Sequence, residues 1–302
     1  MSFVRPYALA GSWYPGDASQ LAAMVDGFLA VARQARDAPP APAGPPWLGL
    51  APHAGYLYSG PVAGRLFACL PDRPPRRLVI LAPNHRARLA RPALSGAAAF
   101  ATPLGEVPVD AASVARLAAS GAFAVDDQSH RHEHAIEIQL PFVQRRWPEA
   151  CLAIVPVLVP RLDEAGRVAA AAALAAERDE GTLVLVSTDL THYGASYGFA
   201  PYAGQAPDDL AGAIEKLDAG ALLRVLAGDG PGLLDYGRRT GITMCGLEAA
   251  ALALEGGPPP GHEAALLGYA RSGDRDGDYI SSVSYAAALL TGGGRGAPRE
   301  AP

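Results

Sequence analysis

Histidine is the residue type that most directly suggests chemistry in this sequence, because three of the 7 histidines lie shortly after apolar runs with the composition of buried strands. The three pairs are Trp47–Ala51 with His53, Leu78–Ala82 with His85, and Thr182–Ser187 with His192. Ligands of open α/β sheets bind in the crevice beyond the carboxyl ends of the strands, so histidines that are distant in the sequence can meet there. Imidazole is the commonest metal ligand and titrates near neutral pH. The pattern therefore predicts a shared metal or acid–base site, the alternative being three unrelated turn histidines.

A fourth candidate is Cys245, which lies where the apolar helix predicted over Leu247–Leu254 begins. Backbone N–H groups at a helix start stabilise a thiolate, so a cysteine in that position can have a depressed pKa and bind metal. The alternative is a buried apolar cysteine, which is our interpretation of Cys69 and Cys151. Glu248 lies three residues further along the same helical face, where it is either a supporting carboxylate or, as we favour, a surface glutamate.

An acidic residue accompanies the last of the strand-end histidines. Asp189 precedes His192 by three residues, and a carboxylate beside a histidine fixes the tautomer of the ring and raises its basicity. This spacing makes His192 a candidate for proton transfer, with Asp189 as the residue that orients it. The alternative role for Asp189 is that of a helix N-cap, since aspartate is a favoured capping residue.

Three more histidines lie close together in the middle of the chain. An apolar periodicity predicts a helix over Glu133–Arg146, and that helix would place His134 and Glu137 one turn apart. His134 could then polarise a bound substrate. We expect the other two histidines of this segment to be solvated, namely His130 and His132.

These residues need a sheet to bring them together, and the remaining pattern predicts one. The runs predicted to be buried strands are the three above, Cys151–Val159 and Ser281–Ala286. Helical spacing predicts helices over Ala18–Arg36, Pro61–Leu70, Ala111–Ala119, Glu133–Arg146, Leu162–Arg178, Asp208–Leu217, Ala219–Leu226 and Cys245–Leu254. Strands that alternate with helices are typical of a layered α/β fold with helices on both faces of the sheet. The length of 302 residues allows one large domain or two ordinary ones.

Composition excludes several classes of protein. The 25 basic and 30 acidic residues give a formal net charge of −5, so we expect no nucleic-acid partner, because a dedicated nucleic-acid binder carries a basic patch or stripe. Three widely spaced cysteines do not form a disulfide framework and favour a reducing compartment. The N-terminus lacks the apolar core of a signal peptide, and the longest apolar run, Val168–Ala176, is far shorter than the ~20 residues that span a bilayer. We therefore expect a cytoplasmic protein with no membrane segment.

Short motifs spread over the chain resemble those of the MEMO family, whose prokaryotic members are called AmmeMemoRadiSam system protein B. The matching motifs are Gly11–Tyr14 (GSWY), Ala51–Tyr56 (APHAGY), Ala82–His85 (APNH), Thr102–Leu104 (TPL), Glu133–Glu137 (EHAIE), Val155–Val159 (VPVLV), Ser187–Gly194 (STDLTHYG), Cys245–Gly246 (CG) and Ser281–Ala287 (SSVSYAA). The resemblance implies a single domain over residues 1–290, a three-layer α/β/α sandwich with a central mostly parallel or mixed sheet. That fold is similar to the class III extradiol dioxygenases, the non-haem iron enzymes that cleave catechols. We expect the tail, 291–302, to be disordered.

The resemblance also implies a set of metal ligands. In the family a metal ion, iron or copper, is held by two histidines and a cysteine, and by segment match these are His53, His85 and Cys245. The dioxygenases hold Fe(II) with two histidines and a carboxylate instead. A thiolate is softer and favours Cu(I) or zinc more than a carboxylate does, so we consider zinc beside iron(II) and copper. Ring cleavage does not transfer from the fold alone, since a fold does not determine a function.

Other matched positions have implied roles at the same site. His192 and Asp189 fall where the dioxygenases place an acid–base residue and its neighbour, and His134 falls near another active-site histidine. The aromatic residues that we expect to contact a substrate are Trp13, Tyr56 and Tyr58.

We therefore expect a metal-dependent, dioxygenase-like oxidoreductase that acts on a small molecule such as a phenol. The alternative is a non-catalytic binding or signalling module that recognises a peptide or a partner protein through the same pocket. The family name implies partnership with radical-SAM and AMMECR-type proteins. A third interpretation, metal-assisted hydrolysis, needs an open metal position with a bound water.

Overall fold

A computed structural model of the chain describes residues 3–35, 39–179 and 181–292. Its strands are β1 (Val4–Arg5), β2 (Pro46–Ala51), β3 (Arg77–Pro83), β4 (Ala93–Leu94), β5 (Ala99–Thr102), β6 (Gly105–Pro108), β7 (Ala124–Val125), β8 (Ile154–Val159), β9 (Thr182–Ser187), β10 (His192–Tyr193), β11 (Glu263–Arg271) and β12 (Ser282–Thr291). Its α-helices are α1 (Ala18–Gln34), α2 (Tyr56–Cys69), α3 (Ala111–Ala119), α4 (Asp127–His130), α5 (Leu140–Arg146), α6 (Glu164–Glu177), α7 (Pro207–Leu226), α8 (Gly230–Thr240), α9 (Leu247–Leu254) and α10 (Gly273–Asp276). The tail expected to be disordered lies outside the described residues from position 293 onward, and Thr291 still belongs to β12.

A mixed sheet forms the centre of this α/β fold, with the strand order β10-β12-β2-β9-β3-β8-β4-β7 and with β11 paired to β12. The four central strands β2, β9, β3 and β8 are parallel, and β12 and β4 join them antiparallel. Nearly every residue of the four central strands is buried, as expected from their apolar composition. Their parallel alignment brings the carboxyl ends of β2, β9 and β3 to one edge of the sheet.

Helices cover both faces of the sheet. Along the sheet, the connection β2–α2–β3 runs in one direction and the connection β8–α6–β9 runs in the other. Because such crossovers are right-handed, α2 and α6 lie on opposite faces. Helices α1 and α5 pack against α2, whereas α9 packs against α6 and contacts β3, β8 and β9. The layered arrangement predicted from the alternation of elements is therefore present.

The N-terminal segment is fastened to the fold by a buried ion pair. Strand β1 belongs to a small second sheet of order β1-β5-β6, and its Arg5 pairs with the fully buried Glu137. Glu137 also accepts hydrogen bonds from the amides of Ala8 and Leu9. These bonds anchor the segment that carries Trp13 towards the carboxyl edge of the main sheet.

Several elements differ from the sequence prediction. The helix predicted over Glu133–Arg146 is shorter than expected, because Glu137–Gln139 form a 3₁₀ turn and α5 begins at Leu140. The two helices predicted on either side of Asp218 are one continuous helix, α7. The periodicity does not predict α8 or β11, whose sequences are interrupted by glycines.

Candidate functional site

The carboxyl edge of the main sheet gathers the strand-end residues. His53 follows β2, Asp189 follows β9 and His85 follows β3, and these three strands are neighbours in that order. Cys245 reaches the same edge from the segment before α9. The candidate ligand atoms of His53, His85 and Cys245 all lie within 4.8 Å of one another, and Cys245 Sγ lies 3.2 Å from His53 Nε2. Two imidazoles and a thiol that are remote in the sequence are thus close together in the structure.

A buried serine holds the ring of His53. His53 Nδ1 lies 3.0 Å from Ser187 Oγ, and the Ser187 hydroxyl donates to the carbonyl of Ala135 at 2.5 Å. Since a serine hydroxyl has one proton to donate, Ser187 accepts from Nδ1–H, and the lone pair of His53 Nε2 faces the thiol. Burial and the neighbouring His134 and His85 lower the pKa of His53 well below its usual value, so the ring is neutral at pH 7. A neutral imidazole with a free Nε2 is the form that binds metal.

Glu133 holds the second imidazole. Its Oε2 accepts a hydrogen bond from the backbone N–H of His85 at 2.8 Å, and its Oε1 lies 2.9 Å from the ring Nδ1 of His85. Burial alone would raise the pKa of Glu133, but the hydrogen bonds from His85 lower it to about 2, so the carboxylate is ionised. A carboxylate that accepts from Nδ1–H leaves Nε2 free and more basic. Sequence reasoning assigns Glu133 no role, although its place directly before His134 was a signal for it.

The Cys245 thiol is enclosed by the loop that follows β9. Its Sγ lies 3.2 Å from the backbone nitrogen of Asp189 and 3.7 Å from Thr188 Oγ1. Burial and the nearby Asp189 carboxylate raise the pKa of Cys245, contrary to the depressed pKa expected at a helix start. The expectation is wrong because Cys245 precedes the N-cap residue of α9, Gly246, and lies beside the Asp189 carboxylate, which disfavours the thiolate. The amide of Asp189 remains a donor to Sγ that stabilises the thiolate which metal binding requires.

Asp189 and His192 lie at the same edge, but their hydrogen bonds differ from those of the expected pair. Asp189 Oδ1 accepts from the backbone N–H of His53 at 2.8 Å. The Nδ1 of His192 lies 3.1 Å from the carbonyl oxygen of Leu190 and 3.2 Å from that of Thr243, so backbone carbonyls orient this ring. Burial raises the pKa of Asp189 to about 6, and the nearby His192 opposes this rise. With Nδ1–H donated to a carbonyl, Nε2 of His192 is the atom that can take up a proton.

An open cavity of about 620 Å³ lies over these residues. His134 lines it, and its ring centroid lies 4.7 Å from that of Trp13 and 4.6 Å from that of His85. Burial lowers the pKa of His134 to about 4, so this imidazole is neutral near pH 7. The aromatic walls of the cavity, in addition to the histidines, are Trp13, Tyr58, Tyr197 and Tyr285.

Tyr56 does not line this cavity, although the sequence predicts that it contacts substrate. Its side chain is 1% exposed, and its hydroxyl donates to the carbonyl of Ile138. Helix α2 begins at Tyr56 and not at Pro61 as predicted. Because successive helical residues are rotated by about 100°, Tyr56 and Tyr58 point to opposite sides. Of these two tyrosines, Tyr58 lines the cavity and Tyr56 lies in the core.

His130 and Glu137 also differ from expectation. His130 is buried and not solvated, with Nε2 3.0 Å from the carbonyl oxygen of Ala93, whereas His132 is exposed as expected. Burial lowers the pKa of His130 to about 4. Glu137, expected beside His134, instead pairs with Arg5, because the segment before α5 does not continue as a helix.

Comparison with known proteins gives relatives over nearly the whole chain. A sequence model of the family described as Memo-like protein matches residues 5–289. The chain belongs to this family. A MEMO1 family protein of Methanopyrus kandleri is 35% identical over 299 residues, which cover 96% of this chain and 99% of that protein. MEMO1 family proteins of Thermococcus onnurineus and Thermococcus kodakarensis are each 34% identical, over 95% of this chain and 99% of theirs.

The family match confirms the resemblance drawn from short motifs. In this Memo-like chain, the motif residues His53, His85 and Cys245 meet at the carboxyl edge of the sheet. Within the described ranges, no helix is long and apolar enough to cross a membrane.

Proposed function

We propose that this Memo-like protein is a metal-dependent, dioxygenase-like oxidoreductase that acts on a small phenolic molecule. His53, His85 and Cys245 would hold iron(II) or copper. The observation that carries the proposal is the approach of these three ligand atoms to within 4.8 Å of one another beneath an open cavity.

The donor set fits such an ion. Transition metals of the zinc type bond imidazole nitrogen at ~2.0–2.1 Å and thiolate sulfur at ~2.3 Å, so ligand atoms within 4.8 Å of one another can share one ion after small side-chain movements. Both imidazoles present Nε2, because Ser187 and Glu133 hold the two Nδ1 atoms. Three protein ligands leave further positions for a substrate or oxygen, as in catalytic sites. The thiolate favours copper(I), whereas the imidazoles suit iron and copper alike.

The bound ion would supply redox chemistry and a Lewis acid for a phenolic oxygen. The chain supplies proton transfer and packing. His192 lines the cavity with Nε2 available, so it can accept the proton of a substrate hydroxyl, and the Asp189 carboxylate can stabilise the imidazolium that results. His134 is neutral and can exchange a hydrogen bond with the substrate, while Trp13 and Tyr58 offer faces for an aromatic ring.

Metal content is the first test. Protein purified without oxygen, stripped with a chelator and titrated with Fe(II) or Cu(I) should bind one equivalent, and His53→Ala and Cys245→Ala should lose this binding. His132→Ala is the matched control, because it removes an exposed histidine of the same chain. Failure of the wild-type protein to take up either metal, or unchanged binding by His53→Ala, would refute the proposed site.

Oxygen consumption is the second test. The loaded protein should consume oxygen with some members of a panel of phenols and catechols, and His192→Ala should lower turnover by ~10²–10⁴-fold while metal content stays the same. Hydrolysis would proceed equally well without oxygen. Full metal loading with no oxygen uptake over the whole panel would contradict the oxidoreductase assignment.

Recognition of a peptide or a partner protein is a second candidate function, and the mouth of the cavity favours it. Apolar side chains are exposed there, with Leu57 at 55%, Tyr197 at 43% and both Trp13 and Tyr58 at 38%. Exposed aromatic clusters are typical of interfaces. Radical-SAM and AMMECR-type proteins are the partners to test. Binding that survives both chelation and Cys245→Ala would support recognition over catalysis.

A further inference from the structure

We propose that the cavity selects aromatic molecules that carry a protonated amine, and that Asp276 is the residue that recognises the positive charge. This inference rests on the proposed function, because it concerns the substrate of the same cavity. It names a substrate class and a specificity-determining residue.

Apart from histidines and tyrosines, the ionisable acidic and basic side chains of the described cavity wall are all carboxylic acids. Its carboxylates are Asp189, which is buried at the floor, and Asp276, which is exposed at the mouth. Among the described residues that line the cavity there is no lysine or arginine. The proposed metal ion would be a cation near His53 and His85, but at the mouth an aromatic carboxylate or phosphate would meet Asp276 and no lysine or arginine of the described lining, whereas an ammonium group would be attracted.

One carboxylate oxygen of Asp276 accepts a hydrogen bond from the backbone, and the other has no such bond among the described residues. It ends α10, and its Oδ1 accepts a hydrogen bond from the backbone N–H of Asp278 at 3.0 Å. Arg271, which precedes the turn, pairs with Asp274 and Glu215, and not with Asp276, in the part of the chain that the structure describes. The Oδ2 atom of Asp276 is therefore left to solvent or to a ligand.

Three tyrosines line the same cavity as this carboxylate, namely Tyr58, Tyr197 and Tyr285. The faces of aromatic rings attract cations, and an ammonium group beside a carboxylate and several rings gains from both. The mouth of the cavity therefore combines the two features that recognise a substituted ammonium.

The position of the Asp276 carboxylate determines the orientation in which a phenolic amine would bind. His53, one of the metal-ligand residues, lines the cavity and is only 2% exposed, whereas Asp276 lines it and is exposed, so His53 marks the deeper part of the wall and Asp276 the outer part. A phenol with an amine at the end of its side chain can place the hydroxyl at the floor and the amine at the mouth. The cavity volume of about 620 Å³ is within the range of small-molecule sites.

Three phenols of similar shape test this inference directly. Tyramine ends in an ammonium group, 4-hydroxyphenethyl alcohol in a neutral hydroxyl, and 4-hydroxyphenylacetate in a carboxylate. We expect calorimetric titration of the full-length protein, with and without metal, to give the affinity order amine, alcohol, carboxylate, with amine and carboxylate ~tenfold apart. Raising the salt concentration should reduce this ratio, because the Asp276 carboxylate is exposed.

A charge-neutral variant identifies the residue responsible. Asp276→Asn keeps an oxygen that can accept from Asp278, so the turn is retained, and it should reduce the preference for tyramine over the alcohol by ~threefold while affinity for the alcohol is unchanged. Glu149→Gln is the matched control, because it removes the same charge from an exposed position outside the cavity and should keep the wild-type preference.

Three results would overturn the inference: equal affinity for all three phenols, tighter binding of the carboxylate, or no binding of any of them. If Asp276→Asn keeps the wild-type preference for tyramine over the alcohol, Asp276 is not the residue that recognises the amine. The proposed metal function would be unaffected by these results, because metal content and oxygen uptake depend on His53, His85 and Cys245.

Discussion

Glu133 binds His85 at two points, since its Oε2 accepts from the backbone N–H at 2.8 Å and its Oε1 lies 2.9 Å from the ring Nδ1. This double contact determines both the position and the tautomer of the ring. Ser187 contacts only the ring of His53, through a neutral hydroxyl, and the backbone N–H of His53 donates to Asp189 instead. The two imidazoles therefore differ in electronic character, because a carboxylate partner makes His85 the stronger electron donor.

Replacing the Glu133 carboxylate should weaken metal binding without removing a ligand. Glu133→Gln can no longer accept at both sites of His85, and we expect metal affinity to fall by ~10–100-fold. The measurement is a competitive titration of Fe(II) or Cu(I) against a chromophoric chelator. Glu149→Gln, which changes an exposed glutamate in the same way, should bind like the wild-type protein. Equal affinities for Glu133→Gln and wild type would show that Glu133 is only a structural residue.

The third ligand should determine which metal is preferred. Cys245→Asp replaces a soft thiolate by a hard carboxylate and restores the two-histidine, one-carboxylate set typical of non-haem iron sites. We expect the ratio of Cu(I) to Fe(II) affinity to fall by at least ~tenfold. Competition between the two ions under anaerobic conditions measures this ratio. The control is Cys151→Asp, because Cys151 is exposed and the interpretation of it as a buried cysteine is wrong. A variant at position 245 with the wild-type ratio would contradict the assignment.

The strand-end histidines were accessible to sequence reasoning because parallel strands impose their own geometry. The runs before His53 and His85 have the composition of fully buried strands, and neighbouring parallel strands end at one edge. The place of Cys245 depends on how α9 packs against β3, β8 and β9, and no local pattern near the cysteine specifies this. Its place at a predicted helix start made Cys245 a candidate, and the family resemblance then grouped it with His53 and His85 as a ligand.

Glu133 and Tyr56 show what local pattern does not determine. Glu133 acts on a residue 48 positions away, and it does so from a segment that departs from the helical periodicity around it. Tyr56 points to the core because α2 begins there, five residues before Pro61. When the start of a helix is predicted a few residues too late, the residues before it are not assigned to a helix face. The sequence therefore could not tell that Tyr58 faces the cavity and Tyr56 the core. Predicting either feature requires the tertiary packing.

The buried imidazole of His130 should make stability fall in acid. Burial lowers its pKa from 6.5 to about 4, so between these values the unfolded chain binds a proton that the folded chain excludes. Its contribution to stability is complete above pH 6.5 and is lost as the pH falls towards 4. Between pH 7 and pH 5 the loss from this residue is ~2 kcal/mol.

Urea unfolding of wild type and His130→Gln at both pH values checks this. Glutamine can retain the hydrogen bond to the Ala93 carbonyl without titrating, so the decrease in unfolding free energy should be ~2 kcal/mol smaller in the variant. His132→Gln changes an exposed histidine and should show the wild-type decrease. If the unfolding free energy decreases equally in all three proteins between pH 7 and pH 5, His130 does not contribute to the loss of stability in acid.

We expect the buried ion pair of Arg5 and Glu137 both to stabilise the fold and to keep Trp13 in position. Glu137 accepts from Arg5, from the amides of Ala8 and Leu9 and from the hydroxyl of Tyr14. Glu137→Gln removes the charge and leaves Arg5 buried without a counter-ion, which costs ~3–5 kcal/mol of unfolding free energy. The released segment should also move Trp13 from its contact with the ring of His134.

Two measurements separate these effects. Urea unfolding gives the loss of stability, and the fluorescence of Trp13 reports the local contact when Trp47 and Trp147 are replaced by Phe in both proteins. We expect Glu137→Gln to lower stability and to make Trp13 more accessible to acrylamide under native conditions. Because Arg5 and Glu137 are both fully buried, a variant with unchanged stability would contradict this account of the N-terminal segment. If stability falls but Trp13 remains as inaccessible to acrylamide as in the wild-type protein, the ion pair stabilises the fold without positioning Trp13. The contact between Trp13 and His134 would then be what keeps Trp13 in the cavity wall.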